Sequence, residues 1–133
     1  MSAVQEIKKI INADDFGAKD LLLYLQALEE IAQTNKDLQD ELSNIADVIF
    51  QLNVPDAAQA YIEIKDAKVG VSEGSSADAN VILEMTEEVF KNLFMGRTDI
   101  SSLYIDNNIK IAGNLELTNG LQSLLKVAVD VLT

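Results

Sequence analysis

Cysteine and histidine are both missing from this chain of 133 residues. Without cysteine there is neither a disulfide framework nor thiolate chemistry. Without histidine the commonest general base and the commonest metal ligand go together. No G-x-S-x-G elbow, Walker A loop or dinucleotide glycine pattern occurs. Asp14-Asp15 and Glu87-Glu88 are carboxylate pairs, but adjacent residues do not face each other on a helix. The first pair reads as a turn and the second as helix capping. No EF-hand spacing is present. The expectation is a protein with no catalytic residue, no cofactor and no metal. Long apolar runs are missing too, and the stretch from Met1 to Glu6 has neither the basic start nor the apolar run of a signal peptide. A soluble, cytoplasmic protein is expected.

Basic residues are scarce. Ten stand against 22 acidic ones, leaving a net charge of −12. Lys8-Lys9 is the only adjacent basic pair. Phosphate backbones and anionic headgroups would be repelled at long range. Nucleic acid is therefore not an expected partner, and membrane contact is expected to be transient at most. The same charge keeps an apolar-rich small protein soluble.

What is present reads as one domain long enough to bury a core. Residues 1–17 look like an N-terminal extension. Val4, Ile7, Ile10 and Ile11 share one side of a short helix, which Asn12 to Gly17 then breaks. This helix either packs on the domain or serves as a dimer contact or lid. Residues 18–133 form the domain proper. Ala18 to Gln33 is a helix, with Leu21, Leu25, Leu28 and Ala32 on one face. Thr34 with Asp37 suggests a cap for a second helical segment carrying Leu38, Leu42 and Ile45.

From Asp47 the period changes to two. Val48, Phe50 and Leu52 mark a first strand, and Ala60, Ile62 and Ile64 a second. Asp66-Ala67 is a tight turn into a short third strand, Lys68 to Ser72. Pro55 lies in a link, where its missing N–H does no harm. The short links predict antiparallel neighbours. Val81, Leu83 and Met85 define a fourth strand. Thr86 can then cap a helix bearing Val89, Phe90, Leu93 and Phe94, and Gly96 can end it in the left-handed conformation. A short helix and a fifth strand, Ile109-Lys110-Ile111, follow. The last helix, about Leu117 to Leu132, is apolar round much of its circumference and must be covered on more than one side. Gly120 either lets another element approach or weakens its first turn.

The stretch from Asp78 to the last helix resembles the sterol carrier protein 2 family, the SCP-2 lipid-transfer domains. The matching residues are Asp78, Met85-Thr86-Glu87-Glu88, Gly96, Asp99, Ile109-Lys110-Ile111 and Gly113, then the helix after Leu115. The resemblance covers about Ala46 to Leu132. Asn107 or Asn108 stands where the family usually has a glycine, and Asn114 where it often has aspartate. The resemblance implies an α+β fold with a mainly antiparallel five-stranded sheet covered by helices. It also implies a hydrophobic tunnel between the sheet and the C-terminal helices.

The candidate lining is Phe90, Leu93, Phe94 and Met95, then Leu103, Tyr104 and Ile105, then Leu121, Leu124, Leu125 and Ala128. Each of these residues also suits plain core packing. Arg97 is the basic residue nearest the expected mouth. It can contact a lipid headgroup, or neutralise Asp99 or the helix C-terminus. The expected activity is non-catalytic binding, and transfer, of a lipid, fatty acid, isoprenoid or sterol-like ligand. Delivery would need a moving lid, either the last helix or the first seventeen residues. Two alternatives stand beside it. One is an interaction module that pairs with another copy or with a partner. The other is an accessory protein that presents a lipophilic substrate, such as a quinone precursor, to an enzyme.

Overall fold

The computed structural model describes residues 2–133. Helix α1 (Ala3–Asn12) starts at a capping box, in which Ser2 accepts the Gln5 amide and Gln5 reaches back. A single 3-10 turn leads into α2 (Leu21–Thr34), and α3 (Lys36–Ser43) follows. The cap of α3 is Asn35, whose side chain accepts the Leu38 amide, rather than the expected Thr34. Asparagine caps at least as well as threonine and stands one residue closer to the helix.

Five strands follow: β1 (Val48–Val54), β2 (Ala58–Lys65), β3 (Lys68–Glu73), β4 (Val81–Glu84) and β5 (Lys110–Gly113). Between β4 and β5 lie α4 (Glu87–Phe94) and α5 (Ile100–Ile105), and α6 (Thr118–Leu132) ends the chain. The sheet order is β3-β2-β1-β4-β5. Three of its four pairings are antiparallel, while β1 and β4 run parallel. The β2–β3 turn places Asp66 and Ala67 at φ 52 and 61. That is the geometry of a two-residue hairpin whose twist matches the strands, made here without glycine.

The parallel pair needs the chain to travel from one edge of the sheet to the far side of β1. Residues 74–80 do this across the outer face. Three strand spacings are about 14 Å, well within the roughly 23 Å that seven extended residues can span. Gln51 holds the crossing. Its amide donates to Ala60 O, Gly74 O and Asn53 Oδ1, and its carbonyl accepts the Ser76 amide. Gln51 is itself buried, and all its polar atoms are partnered.

The inner face carries Phe50, Leu52, Ile62, Ile64, Val81 and Leu83, all buried in one core with residues of the helices. Helix α2 packs on β2 and β3. The stretch expected as an extension joins this core. Ile7 is fully buried and Phe16 nearly so, and α1 packs on α2 and touches α6. Glu30 of α2 accepts the Ala3 and Val4 amides at 2.7 and 3.1 Å, placing a carboxylate at the positive end of α1. Met1 of that stretch lies outside the described residues.

Candidate ligand site

The site is built from α4, α5 and α6. Thr86 Oγ1 accepts the Val89 amide and starts α4 where the sequence predicts it. Gly96 ends it at φ 77. A Cβ there would sit 2.7 Å from Val129 Cγ1, so glycine also lets the α4–α5 link press against α6. Asp99 accepts the Ser102 amide to cap α5, and the free Ile100 amide donates to Gln122 Oε1 of α6 at 2.8 Å. That bond fixes α5 to α6. At the other side of α6, Gly120 faces Ile45, whose side-chain carbons lie 3.2–3.3 Å from where a Cβ would stand. Of the two roles open to Gly120, close approach is the observed one.

The candidate lining residues divide into three groups. Phe90, Leu93, Phe94, Leu121, Leu124, Leu125 and Ala128 are fully buried, and Leu103 nearly so. Met95 is half-buried. Tyr104 and Ile105 face outward, 44% and 76% exposed.

The two phenylalanines belong to an aromatic series. Phe90 and Phe94 have ring centroids 4.4 Å apart, Tyr24 meets Phe94 edge-on at 4.9 Å, and Phe16 lies 5.5 Å from Phe90. The Tyr24 hydroxyl donates to Phe94 O at 2.8 Å. Burial pushes the Tyr24 phenol well above its ordinary pKa. Glu87, besides its place at the start of α4, accepts the Ala18 amide at 3.0 Å.

Two surface clefts border this packed set. One, of about 360 Å³, opens between the α4–α5 link and α6, with Leu93, Leu125 and Val129 at its base and Arg97, Lys126 and Asp130 at its rim. Arg97 donates to Asn92 Oδ1 at 3.4 Å, while Asp99 is engaged as a cap. Among the described residues no carboxylate pairs with Arg97. The other cleft, of about 380 Å³, lies between α5 and the 3-10 turn Leu115–Leu117 and takes in Tyr104 and Ile105.

Sequence reasoning missed Gln122, Phe16 and Tyr24. Gln122 carries a signal, as one of few polar residues on an apolar helix. Phe16 sits among turn-forming residues, so periodicity does not mark it. Among the described residues no cluster of acidic side chains could hold a metal ion, and no helix is long and apolar enough to cross a membrane.

Comparison with known proteins bears on the same stretch. A family model described as the SCP-2 sterol transfer family matches residues 26–126. Hydroxysteroid dehydrogenase-like protein 2 of Homo sapiens is 28% identical over 103 residues, which cover 74% of this chain and 25% of that protein. The Rattus norvegicus protein is also 28% identical, with 74% and 20% covered. The chain thus spans a quarter or less of the length of these relatives.

Among solved structures, apo sterol carrier protein 2 from Yarrowia lipolytica aligns with a TM-score of 0.62 at 18% identity, covering 83% of this chain and 90% of that one. A UbiJ-SCP2 ubiquinone synthesis protein aligns with a TM-score of 0.61 at 14% identity, covering 76% and 84%. At these identities the likeness speaks for the fold.

Proposed function

Since this chain belongs to the SCP-2 sterol transfer family, we propose that it binds a single-chain or ring lipid between its sheet and helices α4 to α6, without catalysing a reaction. The observation that carries this reading is the convergence of Leu93, Phe94, Leu121, Leu124, Leu125 and Ala128 beside a cleft that presents Arg97. Burial of an acyl or isoprenoid chain supplies about 0.8 kcal/mol per CH₂ removed from water. A carboxylate or phosphate headgroup meets the Arg97 guanidinium at the rim.

The apolar side chains fill their own space in this state. A ligand therefore enters by parting α5 and the α4–α5 link from α6. The link turns at Gly96, and α5 is held by the Ile100–Gln122 bond. The open form is a minor state that the ligand stabilises by its preference for it.

A second reading places the bound lipid as a substrate shown to a separate enzyme. The likeness to a ubiquinone synthesis protein favours it. Both readings require lipid binding.

Amide NMR during titration with oleate, farnesol and cholesterol tests the site. The expected perturbations fall on residues 90–105 and 121–129. Perturbations confined to the outer face of the sheet, or none with any of the three, would sink the proposal.

A further inference from the structure

Helix α5 and the 3-10 turn after β5 carry an exposed patch outside the packed set of α4 and α6. Four large apolar side chains are exposed among the described residues, and three of them, Tyr104, Ile105 and Leu115, lie here around one cleft. Singly scattered apolar side chains are ordinary, but several converging on a concavity mark a contact surface. Ile105, at 76% exposure, adds little to the core.

Glu116 lines the cleft and no lysine or arginine does. The exposed Asp106 follows Ile105 at the end of α5, while Asp99, at its start, lines the other cleft with Arg97 and Lys126. Neither Glu116 nor Asp106 is in an ion pair among the described residues. A second copy would set the same carboxylates against themselves across a two-fold axis, on a chain of net charge −12. An anionic bilayer meets the same repulsion, and helices that lie in bilayer interfaces carry lysine or arginine, which Ile100–Ile105 lacks.

We infer that this cleft docks another protein through an apolar side chain flanked by lysine or arginine. The anchor fills the space between Tyr104, Ile105 and Leu115, and the cations meet Glu116 and Asp106. An apolar centre provides the affinity, and the acidic rim sets the partner's charge. These side chains are exposed, outside the packed set of α4 and α6, but the parting of α5 from α6 on lipid entry would reshape the cleft they line.

The first probe is a synthetic amphipathic peptide of leucine and lysine, followed by amide NMR. Shifts are expected at residues 99–106 and 115–119. Affinity is expected to drop about tenfold or more in Ile105→Ser, as for loss of an interface anchor, and also in Glu116→Lys. Both positions are exposed, so thermal melts of the variants should match the parent. Shifts spread over the acidic surface, or binding indifferent to Ile105→Ser, overturn the inference.

The second probe is a photo-crosslinking amino acid at position 105 in the host cell, with position 63 on the outer face of the sheet as control. The expected adduct is a protein segment with lysine or arginine beside its apolar anchor, formed at 105 alone and lost with Glu116→Lys. An adduct to a second copy, an adduct to phospholipid, equal capture at 63, or no adduct contradicts it.

Discussion

Replacing Tyr24 by phenylalanine removes one atom from the centre of the molecule. The lost hydroxyl is the donor to Phe94 O at 2.8 Å. Phe94 is the last residue of α4, so its carbonyl is one of those a helix leaves without an intrahelical partner. In Tyr24→Phe the ring contacts with Phe94 and Phe16 remain, but this buried oxygen loses its partner. Leaving it unsatisfied costs about 1–3 kcal/mol.

The same burial makes the cost depend on pH. The folded phenol is held neutral above its ordinary range, whereas the unfolded chain releases that proton near pH 10. The native state then binds more protons than the unfolded state, and stability falls as pH rises. The contribution is complete below about pH 10, and by pH 11 the parent has lost roughly 1 kcal/mol that Tyr24→Phe never had. Urea unfolding followed by circular dichroism, at pH 8 and pH 11, reads both effects. The expected result is a variant clearly less stable at pH 8 and a narrower gap at pH 11. Equal stability at pH 8, or a gap unchanged by pH, would refute the reasoning.

Three further perturbations follow from the geometry. Gly96→Ala forces a Cβ into the left-handed region and against Val129, at an expected cost of about 1–3 kcal/mol by thermal melting, part of it recovered with Val129→Ala. Gln51→Leu removes the side-chain bonds to Ala60 O, Gly74 O and the Ser76 amide, and should cost about 1–3 kcal/mol while hydrogen exchange speeds up across residues 74–80. Arg97→Gln should weaken binding of oleate about tenfold in a fluorescence titration, and leave farnesol unchanged, because only the first carries a charge for the guanidinium.

Much of this fold was legible because its sheet is buried on one face. Phe50, Leu52, Ile62, Ile64, Val81 and Leu83 alternate with their neighbours, and the alternation survives in the burial of β2 and β4 and, except at the buried Gln51, of β1. The helix boundaries at Thr86 and Gly96 rest on local chemistry and appear where that chemistry stands. Asn107 takes the positive φ that asparagine tolerates in place of glycine.

The parallel β1–β4 pairing was not legible. It depends on a crossing fixed by Gln51, a residue that reads in sequence only as the polar member of an alternation. Phe16 and Tyr24 escaped for a related reason, since their role is set by partners about 70 residues away. At the candidate site, helical spacing marks Phe90 and Leu124 as inward-facing. It does not separate a side chain that walls a cavity from one that fills a core.

The most direct test of lipid binding is native mass spectrometry on protein purified gently from its own host, with solvent extraction of whatever leaves with it. A stoichiometric lipophilic adduct, displaced by added oleate or isoprenoid, is the expected result and names the ligand class. A clean apo mass, unshifted by fatty acids, isoprenoids and sterols, would contradict the proposal.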